Sequence, residues 1–293
     1  MLKKITLLFL TTFFASVLSI AAETAILVKG GIPVKYDKLL KKEAGRYGVK
    51  DNLDGPGIEN KHFVFFVPLV NRISGDLIGK RQYIPVLDFF KQSTKRHGNN
   101  DWGTDITSTN NAFGSALFSV LVDDQEIMPK WENIESVEIR ILSDKPEGSS
   151  ISLTFNGWRL GAETVDVTWT LSTSWESRWI QHEVQFPKDF KYKIQIGSTR
   201  HLTEYTYDKN KLEIYGLGDQ TYKSVKPSEL LYAFKADPAN FMEFFENTNN
   251  LGAICKVDKE GKIKAWTTYS WAGEPAPLFK EKNWQGRLFE GAK

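Results

Sequence analysis

A few short stretches carry the side chains able to do chemistry. His97 lies in His97-Gly98-Asn99-Asn100-Asp101-Trp102-Gly103-Thr104-Asp105. That composition suits a loop open to ligands, and histidine exchanges protons near neutral pH. His97 is therefore the first candidate for a general base or acid. His201 follows Arg200 and precedes Tyr205 and Tyr207. It is the second proton-transfer candidate, and Arg200 beside it can hold an acidic group. Lys80 and Arg81 are adjacent cations, and a guanidinium grips a carboxylate through two parallel hydrogen bonds. Glu59 can orient a catalytic group or bind a hydroxyl. Asp101 and Asp105 with Asn99 and Asn100 offer oxygens, but their spacing lacks the twelve-residue pattern of a calcium loop. No metal and no other cofactor is assigned, and Asp105 stays as a substrate-binding candidate. Trp102 and Trp158 both adjoin glycine and are the tryptophans best placed to face a sugar ring. His182, by contrast, is in register with Ile180, Val184 and Phe186, which makes it a core residue. His62 directly follows Glu59-Asn60-Lys61 and is left undecided.

Several familiar chemistries lose support. There is no phosphate-binding loop, no His-Glu-x-x-His helix, no Cys-x-x-Cys pair and no Gly-x-Ser-x-Gly elbow. What remains is a chain with nine tryptophans and only four histidines. Aromatic faces pack on the C–H surfaces of sugars while charged groups hold hydroxyls and carboxylates, so carbohydrate is the first ligand to consider. Lys and Arg number 38 against 36 Asp and Glu. Without Lys3 and Lys4 the two signs balance, which leaves no strong attraction to a phosphate backbone. Nucleic acid is not an expected partner.

The elements that must position these groups read as strands. Val137, Ile139 and Ile141 alternate with polar residues, as do Ile151, Leu153 and Phe155, then Val165, Val167, Trp169 and Leu171. Ile180, His182, Val184 and Phe186 continue the two-residue period, followed by Tyr192, Ile194 and Ile196. Trp169 sits in this pattern as a core residue. Ala253 to Val257 and Ile263 to Trp271 flank Asp258-Lys259-Glu260-Gly261, which predicts a hairpin with glycine at a positive φ. His62 to Val70 is an apolar run of strand length. Helical signals are few. Asp237 with Pro238 begins one short helix carrying Phe241, Phe244 and Phe245 on a face, and Lys35 to Arg46 is weakly helical. The expected class is all-β, a large antiparallel sandwich with a few short helices.

Residues 1–22 have the form of a secretory signal: Lys3 and Lys4, the apolar run Ile5 to Ile20, and a small-residue exit at Ala21-Ala22. Residues 23–293 are then expected to form a single β-sandwich domain, periplasmic or secreted. No later stretch has the roughly 20 apolar residues of a membrane helix. Cys255, the sole cysteine, is far from the leader and has no disulfide partner, so no lipid attachment is expected. Oligomeric state is not legible.

The order of short motifs resembles a known family. Asp51-Asn52-Leu53-Asp54-Gly55-Pro56 with Glu59-Asn60, then Gly79-Lys80-Arg81, then the His97 to Asp105 box, are similar to its first three boxes. Phe155-Asn156-Gly157-Trp158 with Thr164-Val165-Asp166, Ile196-Gly197 through His201, Tyr215 to Asp219, and Thr268 to Trp271 resemble the later ones. The family is the bacterial domain-of-unknown-function group numbered forty-eight sixty-one, whose members are exported and commonly sit among polysaccharide-degrading enzymes. Ile58 stands where the family usually carries tryptophan, so no sugar-stacking role transfers to that position. The resemblance implies a galactose-mutarotase-like sandwich and a role in breaking down uronate-rich glycans, by lyase or dehydratase chemistry. The implied partner is an acidic oligosaccharide or polysaccharide.

Elementary chemistry sets what such a site needs. Removing the proton at C5 of a uronate builds charge on its carboxylate. The site therefore requires a cation for that group, a base near C5 and an acid for the departing oxygen. His97 and His201 are the proton-transfer candidates, with Arg81, Lys80 and Arg200 for the carboxylate. Two other classes remain open at this stage. A glycoside hydrolase would use paired carboxylates such as Glu59 and Asp105, and a non-catalytic sugar-binding or scaffold protein would leave the glycan chemically unchanged.

Overall fold

The computed structural model describes residues 24–25, 28–29, 32–33, 36–40, 55–69, 73–87, 101–107, 112–145, 147–200, 204–219 and 229–289. The expected leader, His97 and His201 lie outside them. Among the described residues every ladder between strands is antiparallel. The largest sheet has nine strands. In spatial order they are β16 (Glu204–Asp208), β17 (Glu213–Asp219), β18 (Glu229–Ala236), β21 (Lys262–Trp271), β14 (Trp179–Gln185), β13 (Glu163–Thr173), β12 (Gly148–Leu160), β11 (Ser136–Lys145) and β4 (Tyr36–Leu40). A five-stranded sheet is ordered β10 (Gln125–Ile127), β9 (Leu117–Val122), β15 (Lys193–Thr199), β20 (Asn250–Cys255), β19 (Phe241–Glu246). A second one runs β1 (Thr24–Ala25), β5 (Gly57–Glu59), β6 (Phe63–Phe66), β7 (Asp76–Lys80), β8 (Gly103–Asp105). β2 (Val28–Lys29) and β3 (Ile32–Pro33) form a small ribbon.

The sheets pack face to face because the central strands β12, β13 and β14 of the large sheet keep the two-residue period of their sequence. Ile151, Leu153 and Phe155 of β12, Val167, Trp169 and Leu171 of β13, and Ile180, His182 and Val184 of β14 all point inward. They meet Phe118 of β9, whose ring centroid lies 5.8 Å from Trp169 and 6.0 Å from Phe155. They also meet Phe65 of β6, 6.2 Å from Trp169 and 5.7 Å from His182. The two smaller sheets join where Gly75 bridges Gly114. Glycine is required at that junction, since a Cβ on Gly75 would lie 2.5 Å from both the Ala116 carbonyl and the Phe65 ring.

β6 reads as a continuous apolar run because both of its faces are covered. Phe63 and Phe65 enter the main core, while Val64 and Phe66 enter a second cluster with Ile78, Val86 and Leu87. The segment Ile84–Leu87 thus roofs the outer face of this sheet. Leu278 and Leu288 cover Trp179, Leu231 and Ala233 on the outer face of the nine-stranded sheet. They belong to a 3₁₀ turn at Leu278–Lys280 and to the short helix α1 (Trp284–Arg287) and its end.

Three expectations are corrected. The helix after Asp237 is a turn, closed by the Phe241 N–H donating 3.0 Å to the Asp237 carbonyl, followed by strand β19. A bulge between Phe241 and Glu243 shifts the register, so Phe241 and Phe244 share a side 4.8 Å apart while Phe245 turns into the core. A bulged strand thereby imitates helical spacing. The hairpin around Asp258–Gly261 is a crossing between sheets: β20 pairs with β15 and β19, whereas β21 pairs with β18 and β14. Gly261 does take a positive φ, +84°. Within the weakly helical stretch from Lys35, Tyr36–Leu40 is the edge strand β4, and its remainder lies outside the described residues.

Candidate functional site

The turn between β5 and β6 and the segment after β7 meet over a fully buried ion pair. Lys80 and Glu59 are both 0% exposed and bonded to each other. The Lys80 ammonium also donates to the Asn60 carbonyl at 2.6 Å and the Ile84 carbonyl at 3.0 Å, and lies 4.6 Å from the Trp175 ring centroid. The Glu59 carboxylate accepts from the N–H groups of Val86 at 3.0 Å and Leu87 at 3.2 Å. Burial raises the Glu59 pKa above its ordinary value, and Lys80 with the two amides opposes that rise. The pair thus ties the roof segment to the β5–β6 turn. It has no surface to offer a ligand, so Glu59 and Lys80 position the site and do not grip a sugar.

Above this brace sits a partly open group of acid, base and cations. Glu274, 5% exposed, is held by both carboxylate oxygens on one Arg178 nitrogen, at 3.1 and 3.2 Å, and by the Ser270 hydroxyl. Arg178 also donates to the Ala276 carbonyl at 3.0 Å. His62 places Nδ1 3.6 Å from Glu274 and packs against the Tyr83 ring edge-on, centroids 5.4 Å apart. Lys61 lies 5.9 Å from the Tyr83 ring centroid and pairs with Glu176. Arg81 lies 5.0 Å over the Trp271 ring. That ring is packed directly on Gly79, where a Cβ would sit 2.3 Å from the indole nitrogen. The Gly79-Lys80-Arg81 motif therefore gives Trp271 its room, Glu59 its counter-ion and the surface a guanidinium.

The two proton-carrying groups are pushed apart. Burial holds the His62 imidazole below its ordinary 6.5, with Glu274 opposing and Arg178 adding to the effect. Burial, then the Glu274 charge, raise the Tyr83 phenol above its ordinary 10.0. At neutral pH the imidazole is uncharged and the phenol keeps its proton, which is the arrangement of a base beside an acid.

Of the residues singled out in the sequence, Arg81 lies beside this group, over Trp271, which stands three residues before Glu274. Trp102 adjoins Arg81: the Arg81 N–H donates 2.8 Å to the Trp102 carbonyl, and the half-buried indole packs on the Val64–Phe66 cluster. Asp105 is buried in β8, where its carboxylate accepts from the Thr107 N–H at 3.2 Å, a structural role. Trp158 is 0% exposed and packs 5.9 Å from Phe118. A register shift between Phe155 and Trp158, with Gly157 at φ +62°, turns it into the core, so it faces no sugar. Arg200 belongs to a different group, paired with Glu246 at 2.8 Å and lying over Tyr205. Tyr83, Arg178 and Glu274 were not singled out in the sequence, because nothing local marks them. His62 was legible only as a neighbour of Glu59-Asn60-Lys61. Among the described residues no three His, Cys, Asp or Glu side chains group to hold a metal, and no helix is long and apolar enough to cross a membrane.

A family model described as "Domain of unknown function (DUF4861)" matches residues 19–293. The chain belongs to this family. No curated protein matches it. Among solved structures it is similar to an inverting mannosidase of glycoside hydrolase family 92 from Bacteroides thetaiotaomicron VPI-5482, with a TM-score of 0.39 and 11% identity. The match covers 76% of this family member and 28% of the mannosidase, so the chain spans under a third of that protein's length.

Proposed function

We propose that this protein processes uronate-containing oligosaccharides or polysaccharides by β-elimination or dehydration. The observation that carries the reading is the edge-on contact of the buried His62 with the Tyr83 ring, centroids 5.4 Å apart, beside a rim of cations formed by Lys61 and, over Trp271, Arg81. The carboxylate of a uronate is neutralised at that rim, with Arg81 stacked on Trp271 and therefore held in one orientation. The C5–H bond breaks with its proton passing to His62. The electron pair forms the C4–C5 double bond, and the C4–O bond breaks as the leaving oxygen takes the Tyr83 proton. Glu274 and Arg178 position His62 and do not touch substrate. The leader-like residues 1–22 support an exported location, periplasmic or secreted, where such glycans are met.

Hydrolysis has less support, because the carboxylates it would need are already held by protein donors: Glu59 by Lys80 and two amides, Asp105 by the Thr107 N–H. The test is incubation with pectic, alginate and ulvan fragments, followed by ultraviolet absorbance of the new conjugated double bond and by product mass. Absorbance should rise with the wild type and fall about 100-fold in Tyr83→Phe and in His62→Gln, the size of a single acid–base contribution. Products heavier by one water, without the absorbance, would establish hydrolysis instead. Unchanged glycan that raises the melting temperature would establish binding alone.

A further inference from the structure

We infer that the outer face of the nine-stranded sheet carries a second glycan site, one that takes uncharged saccharide units. Ser150 is opposite Ser172, Ser172 opposite Gln181, and Gln181 opposite Trp266, one residue from each of four adjacent strands. Their strand neighbours Ile151, Leu171, Ile180 and Ala265 enter the core, so this row faces outward. Three strand spacings of about 4.8 Å make it roughly 14 Å long. It forms the floor of a groove of about 370 Å³ whose wall includes Ser177 and Glu147.

The chemistry of the row is that of a sugar platform. Trp266 is half-buried, packed on one side against the cluster of Trp179, Leu231 and Leu278 and bordering the groove on the other. An indole fixed in this way offers a flat face to the C–H groups of a pyranose at little cost in side-chain entropy. Among the described residues, the side chains of Ser150, Ser172 and Gln181 make no hydrogen bond to the protein, so two hydroxyls and an amide remain for ligand hydroxyls. The next row along the same face, Thr170, Glu183 and Lys264, closes on itself, since Glu183 pairs with Lys264 at 3.6 Å and with Lys262 at 2.8 Å. The groove lining contains one carboxylate, Glu147, and no cation among the described residues, which disfavours uronates and selects neutral units. At one end it reaches the Ser174–Arg178 turn, which also supplies Trp175 to Lys80 and Arg178 to Glu274. A glycan lying in the groove would approach the acid–base group from that side. This continuity rests on the proposed function, whereas binding in the groove does not.

The test is calorimetric titration of the full chain with xylotetraose, cellotetraose, mannotetraose and galactotetraose, none of which has a carboxylate to eliminate. At least one should bind. Trp266→Ala should weaken it about tenfold or more, a loss equivalent to about 1.4 kcal/mol. Trp266 also supports the C-terminal segment, so Ser172→Arg, which fills the groove from a surface position, provides the second variant and should give the same loss. Failure of all four to bind the wild type, or binding that survives both Trp266→Ala and Ser172→Arg, would overturn the site. Neither result bears on whether acidic fragments gain a double bond.

Discussion

His62 and Tyr83 acquire their protonation habits chiefly from one feature, burial, which disfavours the charged form of each. Burial outweighs the neighbouring carboxylate at His62, and at Tyr83 the two act together. If His62 accepts the C5 proton, activity requires its neutral form, and the acid limb of kcat/KM against pH falls below pH 6.5, its ordinary value. If Tyr83 donates, the alkaline limb lies above pH 10.0. The plateau between them should span neutrality, measured as initial rates of absorbance on one acidic fragment. Glu274→Gln removes the charge that favours the imidazolium, so it should move the acid limb further down while KM changes little. A purely structural role for Glu274 would lower activity without displacing the limb. None of this was readable in the chain, because Arg178 and Glu274 are brought to His62 by turns far apart in sequence. Arg81 was readable, since a guanidinium beside a strand end is conspicuous. Its neighbour Lys80 misled for a physical reason: it ends β7 beneath the Ile84–Leu87 segment with Glu59 as its partner, whereas Arg81 lies just past the strand.

Among the elements, the segment Ile84–Leu87 is fastened chiefly by Glu59, whose carboxylate bonds two of its backbone N–H groups. Removing one partner of a buried ion pair leaves the other charge uncompensated. Lys80→Met should therefore cost about 3–5 kcal/mol in urea unfolding. The double variant Glu59→Gln with Lys80→Met removes both charges and should recover part of that loss, because the amide oxygen of the new side chain can still accept from Val86 or Leu87. Additive losses in the two variants would refute a coupled pair. The strands were legible wherever one face is buried and the other wet, as in β12, β13 and β14. They were misread where that asymmetry fails. β19 gains helical spacing from its bulge, and the Asp258–Gly261 turn connects two strands of correct period that part company into different sheets. Trp158 was assigned outward on its glycine neighbour, yet that glycine is what lets the strand bulge and turn the indole inward.

For the whole molecule, the core between the sheets buries a histidine whose charged form burial disfavours. His182 stacks on Trp169 at 5.8 Å, meets Phe65 edge-on and bonds Thr267 at 2.8 Å through Nε2. Burial depresses its pKa to about 3, against an ordinary 6.5. The sign follows from proton counts. Between pH 6.5 and about 3 the unfolded chain binds a proton at this histidine and the native chain does not, so stability falls as pH falls through that window. The slope from this group approaches about 1.4 kcal/mol for each pH unit well below 6.5. His62 acts in the same direction, while Glu59, whose folded pKa is raised, acts in the opposite one above its ordinary 4.5. The wild-type profile alone would therefore mix several groups, Glu126 and Glu213 with raised values among them. Comparison with His182→Gln isolates one of them, because glutamine can still bond Thr267 but does not titrate. The variant should be less stable than the wild type at pH 7, and the gap should narrow steadily on acidification to pH 4. Parallel stability curves for the two proteins would show that His182 is protonated in the native core and that the sandwich tolerates its charge.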